Sequence, residues 1–256
     1  MSEESVVLTE ASDGVLTITI NRPKAKNAVN KAVAEAMATA LDQLDNDDSL
    51  RVGIITGAGG SFCAGMDLKA FVSGETPFVE GRGFAGLTEK APAKPLIAAV
   101  EGYALAGGCE IAIACDLVVA AETAKFGIPE VKRGLVAAAG GLMRLPEQIP
   151  PRVAMELALT GDFLDASRAR DLGLINEICA EGGAVTAAKA LAARIAANGP
   201  LAVKVSKQII MASRDWSSEE RFAKQQALVD PVFRSEDAIE GATAFAEKRA
   251  PNWKGR

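Results

Sequence analysis

Histidine is absent from the 256 residues, and tyrosine occurs once, at Tyr103. Without an imidazole there is no Ser-His-Asp or Cys-His nucleophilic centre, no histidine-ligated zinc and no histidine general base. Acid-base chemistry near neutral pH must fall mainly to carboxylates. The four cysteines, Cys63, Cys109, Cys115 and Cys179, show no CxxC pairing; small thiols in apolar surroundings are commonly buried and inert, so four free thiols and no metal site are expected. A basic excess is lacking too. The net charge is −5 with lysines and arginines scattered along the chain, which argues against a nucleic-acid partner. No uncharged apolar run reaches the roughly 18 residues of a membrane span, and the acidic start "MSEESVVLTE" lacks the basic-then-apolar pattern of a signal peptide. A cytoplasmic protein with no membrane partner is expected.

What the chain does have is apolar content, 49% of residues, enough for a sizeable core. Leu16, Ile18 and Ile20 alternate with Thr17 and Thr19, the period of a half-buried strand. "NRPKAKNA" then reads as a turn. From Asn30 as cap, Val33, Met37, Leu41 and Leu44 mark an amphipathic helix. "RVGIITGAGGSF", "PLIAAVEG" and "DLVVAAE" read as further strands, and strands alternating with helices predict an α/β fold with crossover connections. Beyond about residue 145 the pattern becomes almost wholly helical. Two short helices are broken by Gly161 and ended by Gly173; Ser217 and Glu220 form a capping box, and Ser235 caps the last helix. The expected division is an α/β core over residues 1–190 and a helical region over 191–256.

Two glycine-rich loops, "SFCAGMDL" (61–68) and "LAGGCEI" (105–111), each follow a strand and lead into a helix. Backbone N–H groups at a helix N-terminus lack internal partners and lie at the positive end of the dipole, so they suit a developing oxyanion. Glycine can equally serve close packing there. "TGAGGSF" has Phe62 where a dinucleotide fingerprint needs its third glycine, and no GK[ST] occurs, so a tight turn is the better reading. Glu110, two residues past a Gly-Gly pair, and Glu130 in "FGIPEV" each suit a helix first turn for purely structural reasons. Together, in a histidine-free chain with two candidate oxyanion loops, they match general acid-base chemistry on a carbonyl compound.

"NRPKAKNA", "GGSFCAGMDL", "KPLIAAVEGYALAGGCEIAIACDLVVAAETAKFGIPEVKRGL", "AAGGLMRLP", "LTGDFLDASRARDLGLIN" and "AFAEKRAPNW" fall in the order and spacing of the crotonase, or enoyl-CoA hydratase/isomerase, superfamily, which the whole chain resembles. The middle stretch also looks like the carnitinyl-CoA dehydratases within it. The resemblance implies a spiral of repeated strand-strand-helix units with a helical C-terminal trimerisation region, assembled as a homotrimer or hexamer. It implies that Met66 and Gly107 supply the two oxyanion N–H groups, and that Glu110 and Glu130 are the acid-base pair, Glu110 as base toward water. It places Lys24, Ala25, Lys26, Ala64, Asp67, Leu68, Phe245 and Lys248 against coenzyme A, the last two across a subunit boundary in some members. Coenzyme A arrives as part of an acyl-CoA substrate, and no resident cofactor is expected. The implied reaction is hydration of a 2-enoyl-CoA; the alternatives are a carnitinyl-CoA dehydratase, an enoyl-CoA isomerase, or a non-catalytic acyl-CoA-binding scaffold. Two departures stand out: Ala106 opens the usual triple glycine, and Ala137-Ala138 replaces the usual Pro-Gly.

Overall fold

Successive side chains of an extended strand face opposite ways, and β2 (Val15–Ile20) sends Leu16, Ile18 and Ile20 into one core and Val15 into another. The computed structural model describes residues 5–256; the first four residues of the acidic amino-terminal stretch lie outside the described residues. β2 pairs antiparallel with β1 (Val7–Ser12) and parallel with β3 (Val52–Gly57). With β6 (Leu96–Val100), β8 (Leu117–Ala121) and β11 (Glu177–Cys179) they form a six-stranded sheet ordered β1-β2-β3-β6-β8-β11, parallel from β2 onward. A smaller sheet, β10-β9-β7, joins β7 (Tyr103–Leu105), β9 (Lys125–Gly127) and β10 (Leu164–Asp165). β4 (Phe78–Val79) and β5 (Gly83–Phe84) make a short hairpin.

Helices follow these strands: α1 (Lys31–Asn46), α2 (Leu68–Val72), α3 (Gly107–Ala114), α4 (Gly141–Gln148), α5 (Pro151–Thr160), α6 (Ala166–Asp171) and α7 (Ala184–Ala196). α8 (Pro200–Ala212), α9 (Arg221–Phe233) and α10 (Glu236–Glu247) complete the chain. The winding repeats. β6 in the large sheet is followed by β7 in the small one and then α3; β8 is followed by β9 and a helical turn over Pro129–Arg133. β3 is followed by Cys63, bridged to Ala104 of β7, and then α2. This is a spiral of strand-strand-helix units. It stacks the loops that follow the second strand of each unit at one end, where the site is built.

Local chemistry accounts for the element boundaries. Asn30 caps α1 by accepting from Val33 N, and Ser235 caps α10 by accepting from Ala238 N. Gly161 closes α5 in the left-handed region, and Gly173 (φ +82°) follows Leu172, the last residue of α6's cap. In the turn before α9, Ser217 Oγ accepts from Glu220 N and donates to Glu220 Oε2, but Ser217 N donates to no Glu220 oxygen among the described residues, so half of the expected capping box forms, and the helix begins after Glu220.

Two expectations are corrected. β2 is buried on both faces, because the alanine stripe Ala184, Ala188 and Ala192 of α7 packs with Val15, Val52 and Ile54 on the side away from α1. The chain beyond residue 145 is less helical than its composition: β10 and β11 are single short strands that extend two sheets through distant partners. Position 190, where the expected core ends, lies within α7, whose residues up to Ala196 pack on the large sheet.

Candidate active site

Val29 donates to Gly65 O and accepts from Asp67 N, a parallel bridge that turns Met66's own N–H away from Val29. Gly65, at φ +98°, lies so close to the next loop that a side chain there would meet the Ala106 Cβ at 2.7 Å and Gly107 N at 3.1 Å. The amino terminus of α3 therefore abuts the loop that carries Met66. Gly107 and Gly108 are its first two residues. A Cβ on Gly108 would run into Cys63 O, and one on Gly107 would meet the Phe84 ring at 2.5 Å. The two glycine loops suggested by the sequence thus converge, and Phe84 closes over Gly107.

Met66, Gly107, Glu110 and Glu130 all line one cavity of about 590 Å³. Its walls are largely apolar, with Leu68, Phe71, Phe78, Phe84, Leu135, Val136 and Phe163 in the lining. Glu110 is 3% exposed. Its Oε1 accepts from Ala139 N at 2.7 Å and Gly141 N at 2.9 Å. Burial raises its pKa, while those two amides and the Arg144 charge oppose the rise. Glu130, on the turn Pro129–Arg133, has a buried Oε2 with no hydrogen-bond partner. Burial first, with the Glu110 charge adding to it, pushes its pKa up to about 7. Burial raises both carboxyls; the Ala139 and Gly141 amides and the Arg144 charge oppose it at Glu110, its own backbone amide and the Arg133 charge oppose it at Glu130, and the Glu130 Oε2 remains without a partner.

The residues matched to coenzyme A divide. Lys26, Ala64 and Leu68 line the cavity, with Lys26 Nζ 5.1 Å from the Tyr103 ring centroid. Lys24 and Ala25 lie in the adjoining turn Pro23–Ala25, outside the cavity lining. Asp67 caps α2 through the amides of Lys69 and Ala70 and pairs with Arg22 at 2.9 Å, which ties that turn to the Met66 loop. Phe245 and Lys248 lie on and just after α10, away from this cavity; Phe245 is 88% exposed.

A model of the family described as enoyl-CoA hydratase/isomerase matches residues 10–256. The chain belongs to the enoyl-CoA hydratase/isomerase family. The crystal structure of enoyl-CoA hydratase EchA1 from Mycobacterium marinum is 64% identical, with a TM-score of 0.97 over 99% of this chain and 100% of that one. Enoyl-CoA hydratase EchA19 of Mycobacterium tuberculosis is 45% identical over 97% of this chain and 96% of its own length. Carnitinyl-CoA dehydratase of Proteus mirabilis is 42% identical over the full length of both. The α/β spiral with its mixed sheets and C-terminal helices is the fold of the enoyl-CoA hydratase structures.

Several residues that shape the cavity of this family member escape a reading of the sequence. Phe84 sits among glycines in "GRGFAGL", where nothing marks it as the cover of Gly107. Asn27, fully buried, accepts from Arg22 N and donates to Ala58 O and Ser61 O, stapling the turn that precedes the Met66 loop. A lone amide in "AKNA" carries no periodic signal. Arg144 bonds across long sequence separations, to Thr88 O at 2.6 Å; its only local sign is a cation amid the apolar residues of "GGLMRLP".

Proposed function

We propose that this hydratase-family enzyme adds water reversibly across the 2,3 double bond of an enoyl-CoA thioester. The asymmetry of the two glutamates in one apolar cavity carries the reading. Ionised Glu110 takes a proton from water as the hydroxyl oxygen bonds to C3. The C2–C3 π electrons move toward the thioester, placing enolate charge on its oxygen, and protonated Glu130 delivers its proton to C2. The N–H groups of Met66 and Gly107 receive that oxygen; one such donor is worth roughly 2.7–4 kcal/mol in comparable sites. A scaffold without chemistry would gain nothing from two costly carboxyls in an apolar cavity.

Lys26, Ala64 and Leu68, with Lys24 and Ala25 beside them, form the track for coenzyme A, and Asp67 shapes it through Arg22. Besides the two glutamates, the charged residues lining the cavity are Lys26, Lys132 and Arg133. Lys132 pairs with Asp162 at 2.9 Å, and Arg133 forms no ion pair among the described residues. With Lys26 on the coenzyme A track and Lys132 paired, Arg133 is the cation left to face an acyl end, and no carboxylate besides the two reacting glutamates lines the cavity to hold a trimethylammonium group, so a neutral enoyl chain is favoured over a carnitinyl one.

The test is consumption of crotonyl-CoA beside a panel of acyl-CoAs that includes crotonobetainyl-CoA. Hydration of crotonyl-CoA, and a fall in turnover by orders of magnitude in both Glu110→Gln and Glu130→Gln with acyl-CoA binding retained, is the expected result. Wild-type turnover in both variants refutes the two-glutamate mechanism. Loss in only one favours isomerisation, where a single base shuttles the proton, and preference for crotonobetainyl-CoA overturns the substrate assignment.

A further inference from the structure

Arg144 stands in the first turn of α4, behind the loop whose amides hold Glu110. Its Nη2 donates to Thr88 O at 2.6 Å and its Nη1 to Ala139 O at 3.5 Å. Thr88 in turn uses Oγ1 to accept from Phe84 N at 3.0 Å. Gly140, at φ +100°, lies directly against the guanidinium: a Cβ there would overlap Nη1. One planar side chain therefore touches the backbone of two segments more than 50 positions apart. One segment feeds Ala139 N and Gly141 N to Glu110; the other carries Phe84 over Gly107.

We propose that Arg144 is the positioning residue of this site, joining the loop that orients Glu110 to the turn that places Phe84 over the oxyanion glycine. This rests on the hydration reading, in which Glu110 acts on water and Gly107 on the thioester oxygen. The planar fork suits two carbonyls in fixed relation, which a lysine ammonium cannot reproduce. The guanidinium also places a fixed positive charge next to Glu110. The charged and titratable groups around these two are few. Glu110 faces Glu130, Arg144 and the neutral Cys109 thiol; Arg144 faces Glu110, Glu147 and Arg214, of which the last two pair with each other at 2.7 Å. With Glu147 and Arg214 already neutralising one another and Arg133 of the same cavity acting on Glu130, removing Arg144 takes away the cation whose charge opposes the rise at Glu110 and leaves it the two backbone donors.

The experiment compares Arg144→Met and Arg144→Lys for turnover against pH, KM, and carbon-13 carboxyl titration of Glu110, assigned by its loss in Glu110→Gln. In Arg144→Met we expect turnover down at least tenfold, KM within about threefold of wild type, and the Glu110 titration moved to higher pH. Arg144→Lys, which keeps the charge without the fork, should return the titration toward its wild-type position while turnover stays reduced. Wild-type turnover and titration in a folded Arg144→Met protein overturn the proposal. So does equal loss of turnover in both variants with the titration unmoved, the outcome of a merely structural role. If Arg144→Met does not fold, the lysine variant decides: reduced turnover at wild-type KM supports the proposal and full turnover overturns it. The titration does not depend on turnover, so an enzyme inactive on crotonyl-CoA would defeat the hydration reading while leaving the Arg144–Glu110 link measurable.

Discussion

A buried carboxyl without a hydrogen-bond partner is tolerated best when it keeps its proton, and Glu130 fits that description at Oε2. Its pKa, raised from an ordinary 4.5 to about 7, makes the native protein bind more protons than the unfolded chain between those two values. The stability linked to this group is therefore complete below about 4.5 and is lost as pH rises through 7. Glu130→Gln removes that loss, so the variant should melt higher than wild type at pH 8 and close to it at pH 5, as calorimetry at the two pH values would show. An equal shift at both would contradict a protonated Glu130. The same ionisation predicts that hydration falls on the alkaline side near pH 7, with the acid limb belonging to the Glu110–Glu130 pair jointly. Both glutamates were legible in the sequence because charge is conspicuous inside apolar runs and histidine offered no alternative. Arg144 and Phe84 were not, since each acquires its role from partners brought close only by the spiral.

The glycine loops show the same limit at the scale of elements. That each leads into a helix could be read from the chain; that they touch could not. Contact depends on Gly108, whose missing side chain lets α3 settle on Cys63 O, a carbonyl already held by Leu105 N at 3.0 Å. Gly108→Ala should therefore lift the α3 terminus off its neighbour, costing roughly 1–3 kcal/mol of stability as overpacking does, and lowering turnover by misplacing Gly107. Ala106 makes the opposite case, because it holds φ +52° and ψ −128°, a conformation suited to glycine. Ala106→Gly should relieve that strain, with melting raised or unchanged and turnover within a few-fold of wild type. Melting curves and crotonyl-CoA turnover on the pair check both; equal tolerance of the two substitutions would deny the loops their mutual contact. β11 was lost to sequence reading for a related reason. Three residues between helices give no period, and only alignment beside β8 makes them a strand.

On the scale of the whole molecule, the sheet, its spiral order and the shared cavity account for the first two hundred residues, and the last fifty are left with unspent apolar surface. Ile210, Met211, Phe222, Phe233, Ile239 and Phe245 of α8–α10 are all exposed, and a groove among the start of α8, the end of α9 and α10 is lined by Leu201, Phe233, Ile239 and Trp253. The tail is nonetheless anchored to its own subunit: Trp253 Nε1 donates to Ala197 O, and Asp237 accepts from the amides of Lys254 and Gly255. An anchored but uncovered apolar face is the kind of surface that association with further copies would cover. The sequence suggests association, and the family resemblance supplies a trimer, or a hexamer of two trimers, as the expected state. Phe245, the most exposed of these residues and outside the cavity lining of its own chain, is the sharpest probe. Because its side chain makes little contact at home, Phe245→Asp should leave the subunit folded while light scattering shows the assembly dissociating. If Phe245 and Lys248 complete the coenzyme A track of a neighbour, acyl-CoA affinity must fall with assembly. A wild-type monomer across micromolar concentrations would refute association, and dissociation at unchanged affinity would show that each subunit builds its nucleotide site alone.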